Sequence, residues 1–434
     1  MPKVAFITLG CKVNQYETNA MSQEFIEKGY EVVEHHEKAD VYVINTCTVT
    51  NMSDRKSRQM LRRVKELNPS SIVIACGCYV QVAKDEVAKI EDIDLILGNN
   101  EKKNIVEHLE QYQKDKKRQL EIEDLMQQRE FVEFGDVTYT EKTRAVVKIQ
   151  DGCDRFCSYC IIPYARGRVR SRKPEGIISE ITKIAQEGIK EVVITGIHVA
   201  SYGKDFKENY GLIDLLEDLN KIEGIERIRL SSIEPLILDE QFINRLSKLE
   251  KICHNFHLSL QSGCDETLKR MNRRYNTEQF KTVVNLIRNT YKDAILTADV
   301  IVGFPGETDE EFAKTYEFLE NVKFYKTHVF KYSPRKGTKA AVMENQIDGN
   351  IKEQRSKKLI ELSNNFEKKY NESYIGKTVE VLWEEEKEGI YKGHTQNYLL
   401  AYYKPEKGDM NLENKITKAN CISAESDHIT VEIQ

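Results

Sequence analysis

The sequence predicts a three-part α/β protein: an N-terminal parallel α/β sheet domain, a central partial (βα)6 barrel, and a small antiparallel β-barrel. Three observations support this. Short apolar runs alternate with helical patterns over the first 110 residues. The same rhythm returns with longer units after residue 144. Only strand and turn patterns follow residue 373. At 434 residues the chain has room for about three domains. The expected boundaries are 1–110, a charged connector at 111–140, 141–371 and 372–434.

In the first part, VAFITL (4–9), VYVINT (41–46), IVIAC (72–76) and LILG (95–98) read as buried strands. Helices are expected at about 16–28 and 53–67. Residues 110–140, including QKDKKRQLEIEDLMQQRE, read as a solvated linker with some helix. The barrel strands are VVKIQ (146–150), VVITG (192–196), RIRLSS (227–232), FHLSLQ (256–261), LTADVIVGF (296–304) and THVFKYS (327–333). Six units suit an open or partial barrel rather than a closed eight-fold one. A basic helix at about 352–370 ends this part. In the tail, TVEVLWEE, IYKGHT, YLLAYYK and ITVEIQ read as strands.

Composition excludes several classes. Hydrophobic residues make up 40% and charged residues 31%, with a net charge of −5, so nucleic-acid contact must rest on local patches. No run approaches the roughly 18 apolar residues of a membrane span, and MPKVAFITLGCKVN lacks a signal-peptide core. A cytoplasmic protein is expected, with no membrane partner. Ten cysteines are too sparse for a disulfide scaffold, so clustered ones read as metal or catalytic ligands.

GCDRFCSYC (152–160) carries Cys153, Cys157 and Cys160, and the next cysteine is Cys253. The loop follows the first barrel strand, at the mouth where such barrels place their chemistry. Zinc would want a fourth ligand, from His198 or a distant cysteine. Three thiolates with no near fourth fit a [4Fe–4S] cluster with one open iron better. Cys11, Cys47 and Cys78 each follow a predicted parallel strand. They should therefore converge at one carboxyl edge, where open sheets bind ligands. Cys76 reads as facing the other side of its strand.

C-x3-C-x-aromatic-C, with Tyr159 as the aromatic, resembles the radical S-adenosylmethionine (SAM) signature. GCKVN, NTCTVT and GCYVQ resemble the methylthiotransferase family, whose members carry such a domain before a radical SAM barrel and a TRAM barrel. GKTVEVLWE (376–384) and GHTQNYLLAYY (393–403) are similar to the TRAM part. The resemblance implies two [4Fe–4S] clusters, an auxiliary one on Cys11, Cys47 and Cys78 and a radical SAM one on Cys153, Cys157 and Cys160. SAM would be both radical source and methyl donor. Cys253, Cys264 and Cys421 match no ligand.

Lys12-Val13 after the first cysteine resembles the branch acting on N6-threonylcarbamoyladenosine of tRNA at position 37. The isopentenyladenosine branch has Gln-Met there and the ribosomal-protein aspartate branch Pro-Lys. These two branches, and a non-enzymatic iron–sulfur sensor or RNA-binding module, are the alternatives. The implied partners are the tRNA anticodon stem-loop, an electron donor such as flavodoxin or ferredoxin, and a sulfur source. SAM contacts are expected at Tyr159, Thr195, Gly196, Ser232, Glu234, Gln261 and Val302, mostly at strand ends.

Arg166, Arg168, Arg170 and Arg172, in IPYARGRVRSRKPEG, are expected to meet RNA phosphates, as is Lys377. Arg55, Lys56, Arg58, Arg62 and Arg63 form a second basic run, with Arg55, Arg58 and Arg62 on one helix face. The tail from residue 371 has seven lysines, no arginine and twelve acidic residues, so any RNA contact there must use a local face such as Lys377 and Lys392.

Overall fold

A computed structural model describes residues 1–139, 143–405 and 411–434, and among these eighteen strands form the sheets. The N-terminal sheet contains β1 (Lys3–Thr8), β2 (Glu31–Val33), β3 (Val41–Thr46), β4 (Ile72–Gly77), β5 (Leu95–Leu97) and β6 (Gln119–Glu121). The order is β2-β1-β3-β4-β5-β6, and every pairing is parallel. The middle strands are buried on both faces, which is why they read as continuous apolar runs.

The central part holds β7 (Arg144–Asp151), β8 (Arg170–Ser171), β9 (Glu191–Gly196), β10 (Arg227–Leu230), β11 (Asn255–Gln261), β12 (Ile295–Val302) and β13 (Lys326–Lys331). They form sheets β10-β9-β7-β8 and β11-β12-β13, linked by bridges Ile228–Ile252 and Ile233–Leu258. Six parallel strands thus make the expected partial barrel, with a short antiparallel β8 added at its edge. Helices cover the outer face in one apolar core.

The tail contains β14 (Thr378–Lys387), β15 (Ile390–Thr395), β16 (Leu400–Tyr403), β17 (Ile416–Ala424) and β18 (Ile429–Ile433), closed in the order β14-β15-β16-β18-β17. This corrects the sequence reading twice. β17, ITKANCISA, was not anticipated, because its polar outer face hides the buried Ala419 and Cys421. The barrel is also mixed rather than antiparallel, since β16 and β18 pair in parallel.

The 111–140 segment is not a solvated linker. Its first residues finish helix Ile105–Asp115 and add β6 to the sheet. Further on, Leu125 and Val137 are buried, Glu133 pairs with Arg172 at 2.8 Å, and Asp136 pairs with Lys183 at 2.5 Å. The expected boundary at 140/141 lies outside the described residues.

Helix Lys12–Glu27 joins the domains. Met21 and Phe25 face its own sheet, whereas Asn14, Tyr16 and Glu17 are also buried. Those polar groups meet the barrel: Tyr16 donates to Glu180 at 3.0 Å, and Glu180 also accepts from Arg172 at 2.8 Å.

The C-terminal barrel caps the amino ends of the central strands. Arg227 donates to the carbonyls of His394 and Glu380, each at 3.0 Å, and Arg229 to that of Gln396 at 3.1 Å. Trp383, the single tryptophan of the chain, is fully buried in this barrel and donates to Thr417 at 2.9 Å. Its fluorescence therefore reports this part alone. Arg227→Ala leaves two carbonyls unpaired and is expected to lower the stability read from that fluorescence in urea by about 1–3 kcal/mol.

Candidate functional site

Cys11 caps helix Lys12–Glu27 three residues after β1, Cys47 directly follows β3, and Cys78 opens helix Cys78–Val82 after β4. Adjacent parallel strands thereby bring the three thiols to one carboxyl edge. Gly10, at φ +108°, carries the chain past Cys47; a Cβ there would lie 2.8 Å from the Cys47 sulfur. Cys76 points into the apolar core with Val43 and Leu97, so it stands apart from the trio.

The second trio sits on the loop after β7. Gly152, at φ +73°, starts that loop, and a Cβ would fall 1.8 Å from the Arg168 carbonyl. The Cys153 N–H donates to the Gly167 carbonyl at 3.0 Å and the Cys160 N–H to that of Cys157 at 2.9 Å. Ser158 is tied by its N–H to the Met271 carbonyl at 3.1 Å, and its carbonyl accepts from Ala340 at 2.7 Å.

Burial pushes the thiols up, to about 11 for Cys47 and Cys153 and to about 12 for Cys160, and neighbouring cysteines add to it. Metal loading must therefore displace protons. Each trio has one arginine aimed at a sulfur: Arg166 Nε lies 3.2 Å from Cys78 Sγ, and Arg273 Nη1 lies 3.2 Å from Cys157 Sγ. Donors to sulfur tune cluster charge and potential.

Beside Cys78 lies a buried charge cluster. Glu17 accepts from Lys102 at 2.5 Å, from Lys148 at 2.7 Å and from Arg166. Asp151 meets Lys148 at 2.5 Å, Arg166 at 3.3 Å and Arg170 at 3.8 Å. Burial alone would raise both carboxyls, yet the surrounding cations hold Glu17 well below the usual range and Asp151 down to about 2. Four buried cations thus face two carboxylates, an excess of positive charge next to the N-terminal trio. Such an excess suits an anionic, thiolate-bound group.

The donor sets fit an iron–sulfur cluster better than a single ion. Among the described residues, Glu34, His35 and His36, all exposed, are the group whose ligand atoms lie within 4.8 Å of one another. Neither cysteine trio is that tight, whereas thiolates at about 2.3 Å from one tetrahedral zinc would sit roughly 4 Å apart. His198, the possible fourth zinc ligand, is engaged by Ser201 at 2.7 Å and Glu234 at 2.9 Å.

The other expected site residues divide. Thr195, Gly196, Ser232, Gln261 and Val302 all lie at or just past carboxyl ends of barrel strands. Ser232 is exposed there, and Gln261 adopts φ +70°. Tyr159 packs edge-on to Phe304, with its hydroxyl near Cys157 and Arg273. Two of the expected residues also make contacts within the chain. Val302 is fully buried in the apolar core of the central part. Glu234 is already held by Arg155 and His198, tying the cluster loop to the ends of β9 and β10.

The arginine-rich loop also departs from expectation. Arg166, Arg170 and Arg172 are almost wholly buried and spend their charge on internal carboxylates, which removes them from RNA contact. Arg168 is half-buried, with its guanidinium over Phe156 and paired with Asp154 at 3.4 Å. Lys377 is exposed, its ammonium 4.8 Å from the Tyr374 ring centre, and Lys392 pairs with Glu385 at 2.9 Å. Arg55, Lys56, Arg62 and Arg63 are exposed on helix Asn51–Leu67, with Arg58 half-buried beside them. Arg273 was missed, because an arginine in MNRRYN carries no sequence signal of its sulfur contact.

The partial barrel with a three-cysteine loop after its first strand defines a protein of the radical SAM class. A model of the radical SAM superfamily matches residues 147–319, and one of Uncharacterized protein family UPF0004 matches residues 3–98. The fold is shared with the radical SAM methyltransferase TsrM from Kitasatospora setae, at a TM-score of 0.58 and 14% identity, covering 79% of this chain and 74% of that one. The radical enzyme OxsB is similar at 0.52 and 14%, covering 85% and 56%.

The chain belongs to the methylthiotransferase family. It is 42% identical over 98% of its length to a threonylcarbamoyladenosine tRNA methylthiotransferase of Bacillus subtilis, covering 94% of that protein. The corresponding figures for the Aquifex aeolicus protein of the same description are 43%, 92% and 95%. A tRNA-2-methylthio-N(6)-dimethylallyladenosine synthase of Clostridium botulinum is 35% identical, with 97% and 96% covered.

Arg166→Leu strips the buried carboxylates of a shared partner and Cys78 of its donor. It is expected to cost about 3–5 kcal/mol in thermal unfolding and to lower iron from about eight per reconstituted chain towards four.

Proposed function

We propose that this chain is a tRNA methylthiotransferase that converts N6-threonylcarbamoyladenosine at position 37, beside the anticodon, to its 2-methylthio derivative. The observation that carries this reading is the pair of cysteine trios at the carboxyl edges of two domains, in a chain matching relatives of that description over nearly its whole length. Cys11, Cys47 and Cys78 would hold an auxiliary [4Fe–4S] cluster, and Cys153, Cys157 and Cys160 the radical SAM cluster. Bound there, the clusters and SAM supply the radical and sulfur chemistry that an inert adenine C2–H bond demands.

The remaining work belongs to the chain. Arg166 and Arg273 balance thiolate charge with one donor each. Tyr159, Thr195, Gly196, Ser232 and Gln261 line the edge where SAM would lie. Glu234 holds the cluster loop against β9 and β10 through Arg155 and His198, fixing the distance between edge and loop.

RNA would approach over helix Asn51–Leu67, which begins four residues after Cys47 and presents Arg55, Lys56, Arg62 and Arg63. An electron donor such as flavodoxin or ferredoxin and a sulfur source complete the system, in the cytoplasm. Among the described residues no helix is long and apolar enough to cross a membrane.

Nucleoside mass analysis of tRNA from cells lacking the gene should show loss of 2-methylthio-N6-threonylcarbamoyladenosine and accumulation of its precursor. Complementation with Cys11→Ala should leave that precursor unmodified. An unchanged nucleoside profile in the deletion strain refutes the substrate assignment. Replacing Arg55, Arg62 and Arg63 together by Glu should weaken binding of an anticodon stem-loop at least tenfold, and flatten its salt dependence, as read by fluorescence anisotropy.

A further inference from the structure

Inside the partial barrel lies a cavity of about 570 Å3. His257, Thr297, Asp299 and His328 stand on its wall, Tyr398 reaches in from the C-terminal barrel, and Lys12 enters from the N-terminal domain. The wall is polar and mostly self-satisfied. His257 bridges Thr297 at 2.8 Å and Asp299 at 3.0 Å through its two ring nitrogens. Arg229 pairs with Glu191 at 2.7 Å and lies over the Tyr398 ring at 4.6 Å. Lys326 pairs with Glu367 at 2.8 Å.

Lys12 is different. Among the described residues it forms no hydrogen bond through its ammonium and no ion pair, and it is exposed to the cavity it lines. Tyr398 and Glu191 are near enough to attract its charge, and Arg144 and Arg229 to repel it, yet none of them pairs with it directly. An unpaired ammonium confined with other cations is a receptor for an anion. Its position is specific: it directly follows Cys11, while Ser232, past the end of β10, opens the same cavity to the carboxyl edge of the barrel.

The chemistry of the base says what should enter. On adenine, C2 and the carbon bearing N6 flank the same ring nitrogen. When C2 is held between the cysteine trios, the N6 substituent must occupy the adjoining space. A threonylcarbamoyl group ends in a carboxylate and carries a hydroxyl and a ureido group, whereas a dimethylallyl group is wholly apolar. The geometry points to Lys12 as the receptor for the carboxylate of the N6 substituent, with the His257–Thr297–Asp299 wall facing its hydroxyl and ureido groups. A prenyl group there leaves the ammonium and the polar wall without partners. This inference rests on the proposed tRNA substrate and explains how the site would select it.

The test uses the reconstituted full-length chain and four anticodon stem-loops. These carry adenosine, N6-threonylcarbamoyladenosine, its carboxamide analogue, or N6-dimethylallyladenosine at the target position. Affinity is read by anisotropy, and kcat/KM by product formation. The wild-type chain should prefer the carboxylate over the carboxamide by about tenfold or more. Lys12→Met should erase that preference in binding, and Lys12→Arg should retain most of it, which separates lost recognition from misfolding. Retention of the full preference in Lys12→Met overturns the inference while leaving the substrate reading intact. A wild-type chain that does not distinguish threonylcarbamoyladenosine from adenosine overturns both.

Discussion

The structure turns on the buried charge cluster centred on Glu17 and Asp151. Glu17 comes from the helix after β1, and Asp151 ends β7, so the two carboxylates belong to different domains. Lys148 and Arg166 bind Glu17 across that boundary and also meet Asp151, while Lys102 and Arg170 each brace the carboxylate of their own domain. Breaking any one partnership leaves a charge stranded away from water, which makes the relative placement of the two domains steep in energy. Because Cys78 lies beside this cluster through Arg166 and Cys153 follows two residues after Asp151, the same contacts set the positions of both cysteine trios.

The arrangement serves a reaction that needs several groups within reach of one base. Two sheet edges face a common interior, and the C-terminal barrel closes the far side by setting Tyr398 and His394 under the central strands. This barrel is net acidic and contributes the floor of the cavity through its 394–400 turn. A row of exposed arginines and a lysine sits elsewhere, on helix Asn51–Leu67. Under the proposed function, affinity for a polyanion and selection at the base would be carried by separate surfaces.

Much of this was legible in the chain because it depends on period and order. Six apolar runs at barrel spacing, a glycine before Cys153, and three cysteines each following a predicted strand are local patterns. Parallel topology then converts order into convergence. β17 escaped because a strand with one wet face and threonine, lysine and asparagine on it resembles a loop. Arg166, Arg170 and Arg172 misled because charge in a sequence carries no sign of its burial; only the fold reveals that Glu17, Asp151 and Glu180 wait for them.

The sequence by itself determined the three-part architecture, the two cysteine trios and the family, since strand patterning and short cysteine-bearing motifs are local properties. Only the tertiary structure decided which cations are internal braces and which are surface. It alone revealed that Arg273 reaches Cys157, that Val302 is buried in the apolar core, and that Lys12 lines the barrel cavity without a partner among the described residues. The reason is physical: a charged side chain takes its role from the charges and dielectric around it, and residues far apart in the chain supply both.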